Sequence, residues 1–325
     1  MGCEWMRMSR LLYGLRALAL SFLAVCWTVP VLAQGDALET IQIRPNVHVI
    51  FGAGGNITVH VGEDGVILVD SGSADMADRV LEAVEVITDQ PIRMIINTSA
   101  DADHVGGNQA LAATGVPIAG DAFAVAPTAA IVAHENVLLR MAEEGELPYE
   151  DWPTETYTAK LRSMYINEDG VVLMRQTGAH TNGDSIVHFR RADVIATGDI
   201  LDLRQFPVID PEKGGSIQGE LAALNTLLDI TIPAMPFVLK PHRTLVVPGH
   251  GYISDYAEVV EYQYMVNVIR DRIEALLDKG MSLEQVIDAN PTAGFRERYG
   301  SDTGPWTTDM FVEAIYNDLK NAPEE

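Results

Sequence analysis

From Ile41 onward, apolar residues recur in short alternating runs broken by Gly, Asn and Pro. IQIRP, VHVIFG, NITVHVG and GVILVDSG are rich in β-branched residues and bounded by turn formers, which predicts strands. GEDG, between the last two, predicts a hairpin turn. The period then changes. Met76, Val80, Val84 and Ile87 fall at helical spacing, so ADMADRVLEAVEVITD predicts a helix. IRMIINT reads as a short buried strand, GGNQALAATG as a short helix ended by Gly115, and VPIAG as another strand.

Residues 122–144 predict a helix interrupted by Pro127, with His134 on one of its faces. EEGELPYEDWPTETYTAK is polar and Pro-containing. It predicts a surface loop whose Tyr149, Trp152 and Tyr157 could cover a substrate. Strands resume with GVVLMRQTG, SIVHFRR and DVIATGD; GSIQGELAALNTLLDI predicts a helix, and TLVVPGHG a buried strand ending in a Gly-framed histidine. Everything from Asp255 is helical in pattern, with Trp306, Phe311 and Tyr316 spaced to anchor the last helix in a core. Strands and helices thus interleave in two halves. That pattern predicts two mixed sheets packed face to face with helices outside, an α/β (α+β) architecture of four αββα layers followed by a C-terminal helical extension. The expected organisation is a leader over 1–33, the layered domain over 34–252 and the extension over 253–325.

Four loops share one format, an apolar strand followed by a Gly-flanked His or Asp. They are NTSADADHVGGN, GAHTNGDS, ATGDI and VPGHG. Strand ends hold side chains rigidly, and carboxylate oxygens with neutral imidazole nitrogens suit divalent metals. Each loop alone is an ordinary polar turn; four together make a candidate metal site. The other histidines read as structural: His48, His60 and His188 alternate with apolar neighbours in strands, and His242 sits in a turn beside Pro241. Thr181 and Asp184 are placed to shape the His180 loop, and Asp70 closes a strand near it.

Charge and cysteine usage narrow the class. The chain carries a net charge of −24, which repels nucleic-acid phosphates and anionic membranes and leaves a small-molecule substrate as the expected partner. Arg7, Arg10 and Arg16 lead into an apolar run that ends in VPVLA, which predicts an export leader cleaved after Ala33. That run falls short of the roughly 20 residues a span requires. The expectation is a periplasmic or secreted protein with no stable membrane association once cleaved, of open oligomeric state. Cys3 and Cys26 both lie in the leader, so the mature chain would have no disulfide, no cysteine nucleophile and no cysteine ligand.

The order of the four loops resembles the metallo-β-lactamase superfamily of metallohydrolases, from about Ile43 to Tyr316. NITVHVGEDGVILVDSG is similar to that family's opening strands. Its metal motif, His-x-His-x-Asp-His, is preceded by Asn-Thr and followed by Gly-Gly-Asn; here Asn97-Thr98 and Gly106-Gly107-Asn108 frame the same place. Asp103 and His104 match inside the motif, and His180, Asp199 and His250 match the three later ligands. GGSIQGELAAL and the C-terminal helices resemble an exported subgroup, here with an altered first metal motif. The resemblance implies the αββα fold and a main ion held by Asp103, His104, Asp199 and His250. It implies Asp70 as a support behind a ligand. It also implies hydrolysis, in which a metal-bound hydroxide attacks an ester, thioester, lactone or amide.

Two positions depart from the family pattern. Ser99 stands where the first histidine belongs and Asp101 where the second belongs. A second ion would then rest on His180 and Asp199, with Asp101 as a carboxylate substitute. Zinc is the expected metal, as one or two ions, with manganese or iron as harder alternatives at the altered position. Asp101, Asp103 and Asp199 put three carboxylates around the site, so a single divalent ion would leave it net negative. Asp101 is therefore open between ligand, general base acting with Asp103, and a loop hydrogen-bonder in a protein without hydrolytic activity. Besides the hydrolase, the sequence admits a non-catalytic periplasmic binding protein and, further off, redox chemistry at a di-iron site.

Overall fold

The computed structural model describes residues 38–118, 127–234 and 243–321. The expected leader over 1–33, His242 and the end of VPIAG lie outside the described residues. Strands β1 (Glu39–Arg44), β2 (Val47–Ala53), β3 (Gly55–Gly62) and β4 (Gly65–Val69) form an antiparallel meander. The same sheet continues in parallel through β5 (Ile92–Ile96), β6 (Ala130–His134) and β7 (Glu155–Tyr157), in sequential order. A second sheet holds β8 (Leu161–Ile166), β9 (Asp169–Arg175), β10 (Ser185–Phe189), β11 (Val194–Ala196) and β12 (Leu245–Val247), also in sequential order. Only its β11–β12 pair is parallel.

The helices are α1 (Ala77–Ile87), α2 (Ala102–Val105), α3 (Asn108–Thr114), α4 (Glu135–Glu144), α5 (Ile217–Ile230), α6 (Tyr256–Leu277), α7 (Leu283–Asp288), α8 (Arg296–Tyr299) and α9 (Thr308–Asn321). The two-residue period of the strands assigns each side chain to a layer. Ile67, Val69, Met94 and Ile96 of the first sheet meet Leu173, Val187, Phe189 and Val247 of the second. Leu68, Ile95 and Ile131 point the other way, onto Val80, Val84 and Leu111 of α1 and α3. Ile186, Ile195 and Val246 face outward from the second sheet onto α5, α6 and α9. The result is the αββα sandwich, with two mixed sheets and helices on both outer faces. Each fully buried Val, Leu, Ile or Phe contributes roughly 1.5–3 kcal/mol to it.

The last helices close the outer layer. Asp255 and Glu258 form a reciprocal cap that starts α6. Phe311 of α9 stacks on Phe206 at 4.7 Å, Tyr316 is buried, and Trp306 packs half-buried against the same cluster.

Three local expectations need correction. Of the helix expected over 122–144, residues 122–126 lie outside the described residues and the described part is helical only from Glu135; Ala130–His134 is strand β6, paired in parallel with β5 through Met94–Ala130, Ile95–Ile131 and Ile96–Val132. A strand buried on both faces shows no alternation, so AIVAH carries no period that distinguishes it from a helix. His134 ends that strand and caps α4, its Nδ1 accepting from Asn136 N at 3.2 Å. The polar loop after α4 contains β7, and Tyr157 is buried there with its hydroxyl 2.6 Å from Ser185 Oγ. Trp152 is half-buried and donates to Leu147 O; only Tyr149 is exposed, so the three aromatics form no common cover. Finally, LRSMYI, to which the sequence pattern assigned no element, is an edge strand, β8, paired with β9.

Candidate metal centre

Five chain segments bring the site together, four of them leaving a strand. β5 runs into Asn97-Thr98-Ser99 and then α2, whose four residues include Asp103 and His104, with Asp101 just before. His180 precedes β10, Asp199 sits in a 3-10 turn after β11, and His250 follows β12. The α2 loop is clamped from behind. Asn97 and Asn108 exchange side-chain amide bonds at 3.0 and 2.9 Å. Asp70, at the end of β4, accepts from Thr98 N at 2.8 Å and from Thr98 Oγ1 at 2.7 Å. At Gly249 a Cβ would lie 2.5 Å from Asp199 Oδ1, so glycine lets the His250 turn close over that carboxylate.

One group of donors converges. His104 Nε2 is 3.1 Å from Asp199 Oδ1, and His250 Nε2 is 3.3 Å from the same oxygen and 3.2 Å from Asp103 Oδ2. An ion with bonds of about 2.0–2.1 Å in tetrahedral coordination has ligand atoms about 3.3–3.4 Å apart. The three spacings match the edges of such a tetrahedron within a few tenths of an ångström. Hydrogen bonding at His104 points the same way. Its Nδ1 lies 2.8 Å from Asp70 Oδ2 and donates there, which leaves the Nε2 lone pair aimed at the Asp199 carboxylate. Two acceptors face each other stably only with a proton or a cation between them. Burial opposes charge on His104, yet the Asp199 and Asp70 carboxylates outweigh it and raise the imidazole well above its ordinary value. The bond to His250 holds the Asp103 carboxyl below the usual range against a smaller opposing effect of burial. Asp103, His104, His250 and Asp199 fit a divalent ion by donor type and spacing.

A second group has different chemistry. Asp101, His180 and Asp199 also have donor atoms within 4.8 Å of one another. His180 Nδ1 donates to Val208 O at 2.7 Å, and its Nε2 lies 3.0 Å from Asp101 Oδ2. Burial would lower this imidazole, but Asp101 raises it to about 10. Burial would likewise raise the Asp101 carboxyl; His180 and Lys213 outweigh it and hold it far below the usual range. Lys213 Nζ is 3.2 Å from Asp101 Oδ1. Ser99 is buried, and its Oγ accepts from Asp101 N at 3.3 Å, within the loop. Thr181 and Asp184 do shape the His180 loop, with Thr181 N donating to Asp184 Oδ2 at 2.8 Å.

Every site residue singled out in the sequence lies in this cluster, together with two residues that the sequence pattern does not mark. Lys213 was hidden in a Pro- and Gly-containing loop, DPEKGGS; the signal for it was the unbalanced charge of three carboxylates. Glu220, on α5, is fully buried, and neither carboxylate oxygen has a hydrogen-bond partner among the described residues. Burial, reinforced by Asp184, raises its carboxyl well above the ordinary value. The helical pattern of GSIQGELAAL offered no sign that this glutamate points inward.

Comparison with known proteins agrees with this arrangement. Residues 51–250 match the family described as the metallo-beta-lactamase superfamily. No curated protein matches the chain. Among solved structures, the sec-alkylsulfatase Pisa1 from Pseudomonas sp. is similar over 86% of this chain, at 13% identity and a TM-score of 0.63. This chain spans about half of that enzyme, 50% of its length. A metallo-beta-lactamase from Pontibacter korlensis is similar over 71% of this chain and 99% of its own, at 16% identity and a TM-score of 0.55. The DIM-1 metallo-beta-lactamase, in a structure exposed to ceftazidime, is similar over 72% of this chain and 98% of its own, at 14% identity and a TM-score of 0.54. At such identities the likeness concerns the fold.

Proposed function

The chain belongs to the metallo-β-lactamase superfamily, and from that premise we propose that it is a metal-dependent hydrolase of a small-molecule ester, thioester, lactone or amide. The observation that carries the reading is the convergence of Asp103, His104, Asp199 and His250 at metal-sized spacings. A divalent ion bound there supplies Lewis-acid polarisation of a carbonyl and a hydroxide near neutral pH. Zinc suits this mixed imidazole and carboxylate set. The chain's own residues do the rest. Asp70 fixes the His104 tautomer and ring plane through the Nδ1 bond. Asp103, with its side chain 39% exposed, is the carboxylate that reaches the cleft, with Oδ2 turned to His250 and Oδ1 as the oxygen that can pass a proton. Asp101 differs. Held far below the usual carboxylate range by His180 and Lys213, it is a weak base and acts as a charge partner.

That same Asp101–Lys213 pair favours a second reading, a binding protein that keeps one structural ion without turnover. The protein purified without chelator, and its His250→Ala variant, would separate the two by elemental analysis and an assay panel of ester, thioester, lactone and amide. An alkyl sulfate belongs in the panel because the structural match of widest coverage given above is a sulfatase. One zinc per chain and turnover, both lost in His250→Ala, support the hydrolase. One zinc without turnover supports the binding protein. No metal, even after zinc or manganese is added, contradicts both. Export with cleavage after Ala33 belongs to the same proposal, and N-terminal sequencing of the protein from the cell envelope tests it.

A further inference from the structure

Lys213 sits in the loop between the Asp199 turn and α5, and its ammonium has three carboxylates around it. Asp101 Oδ1 is at 3.2 Å, Glu144 Oε1 at 3.6 Å and Asp210 Oδ2 at 3.9 Å. The backbone that delivers it is fixed. Lys213 N donates to Asp210 Oδ1 at 3.1 Å, and Lys213 O accepts from Asn182 N at 3.0 Å, two residues after His180. Asp210 N in turn donates to His180 O at 3.1 Å. At Gly215 a Cβ would lie 2.1 Å from His180 O, so the two loops meet backbone to backbone where only glycine fits. The segment carrying Lys213 is therefore tied to the segment carrying His180, and the ammonium is held among its three carboxylates.

Asp101, His180 and Asp199 make, by composition and proximity, a trio able to take a divalent ion. Both oxygens of Asp101 are already engaged, Oδ2 by His180 and Oδ1 by Lys213. A cavity of about 200 Å³ lined by Asp101, Met141, Glu144 and Lys213 reaches this point, so an ion approaching from solvent meets the ammonium at Asp101. An ion bound by Asp101 would lie within a few ångströms of that fixed positive charge and be repelled by it. The charge balance agrees. With Lys213 on Asp101, a divalent ion at the other group is left facing the carboxylates of Asp103 and Asp199. Glu144 and Asp210, about as exposed as the lysine, share its ammonium with Asp101 at longer distances.

We propose that the Lys213 ammonium is a built-in cation that takes the place of an ion at the Asp101–His180 position, so that the centre is a one-ion site. This rests on the metal-binding reading above, and the test separates the two. Wild type, Lys213→Met and Lys213→Arg are dialysed against excess zinc, then buffer, and their metal content is measured alongside circular dichroism and melting. Wild type and Lys213→Arg retain one ion per chain, and Lys213→Met retains a second. Two ions in wild type overturn the role of Lys213 and leave the hydrolase reading standing. One ion in both wild type and a folded Lys213→Met also overturns it. Should Lys213→Met fail to fold, Lys213→Gln, which keeps a polar head without charge, carries the same expectation of a second ion. No ion in wild type removes the hydrolase reading and this proposal together.

Discussion

Asp199 is shared by two groups of side chains that look alike in composition and behave differently in electrostatics. With Asp103, His104 and His250, it forms a set in which an imidazole lone pair and carboxylate oxygens converge at 3.1–3.3 Å. With Asp101 and His180, it forms a set in which the acid is already bound to a lysine. In the second group a lysine ammonium sits on a carboxylate; none of the first group's carboxylates has one. Ligand-type residues in proximity are therefore a weaker sign of a metal than donor atoms whose charge is left unbalanced.

The largest effect that could break this comparison comes from trading one histidine against the other. His104→Ala should lose the ion and cut kcat/KM by more than about 10³-fold, beyond what loss of a single electrostatic donor costs. His180→Ala should leave the ion content at one per chain. Elemental analysis and steady-state kinetics on both variants check this; equal loss of metal would make the two groups one site.

Next in size is the support behind His104. Asp70 has φ of 65°, a left-handed conformation that asparagine tolerates well, so Asp70→Asn keeps the backbone while removing the charge. Zinc affinity should fall about 10–100-fold, as for other residues that orient a metal-binding histidine. Competition with a chromophoric chelator measures it, and an unchanged affinity would detach Asp70 from the site.

A pH series on the metal-free protein sharpens the contrast further. Burial works against charge on both His104 and His180, and their carboxylate partners outweigh it, raising His180 to about 10 and His104 well above its ordinary value. An imidazole raised in the folded state contributes its full stability below the unfolded value of about 6.5 and loses it as pH rises through the folded value. The metal-free protein should therefore melt lower at pH 9 than at pH 6.5. The shift should be at least the 2–4 °C that about 1 kcal/mol produces in a domain of 150–250 residues. Zinc replaces the proton at His104, so the loaded protein should lose less over the same window. Parallel melting curves with and without zinc would contradict the cation requirement at His104.

The smallest effect concerns Glu220, whose charge would add a negative group near Asp184 and Asp199. Burial holds the Glu220 carboxyl well above its ordinary value, so Glu220→Gln should change stability by less than about 1 kcal/mol near pH 4.5, where the unfolded carboxyl is still partly protonated. A carboxyl raised in the folded state contributes stability that is lost as pH rises through its folded value, and glutamine has nothing to lose. The variant should therefore gain on wild type as pH increases, a trend that denaturant titrations at pH 4.5 and 9 would register.

Much of this molecule was legible before its structure. β1 to β4 announce themselves by β-branched runs between turn residues, even though β3 and β4 are buried on both faces, and α1, α5 and α6 by their period, because one face of each helix is buried. The candidate ligands were legible as well, since glycines and strand ends mark them locally. β6 was not, because a strand covered on both faces loses its alternation, and its neighbour β5 rather than its propensity decides its form. Lys213 was not legible for a related reason. Its partner Asp101 lies in another loop, and what joins them is the backbone contact between Gly215 and His180, which local sequence does not encode. Glu220 sits on the inner face of a helix where the pattern expects an apolar residue.

The central claim is one ion at Asp103, His104, Asp199 and His250 and an ammonium at Asp101. A crystal structure of the zinc-loaded wild-type protein, with anomalous data collected on both sides of the zinc edge, tests it most directly. A one-ion centre gives a single strong peak among those four side chains, with Lys213 Nζ still on Asp101. A peak between Asp101 and His180 with the lysine turned away, or no peak among the four, would contradict it.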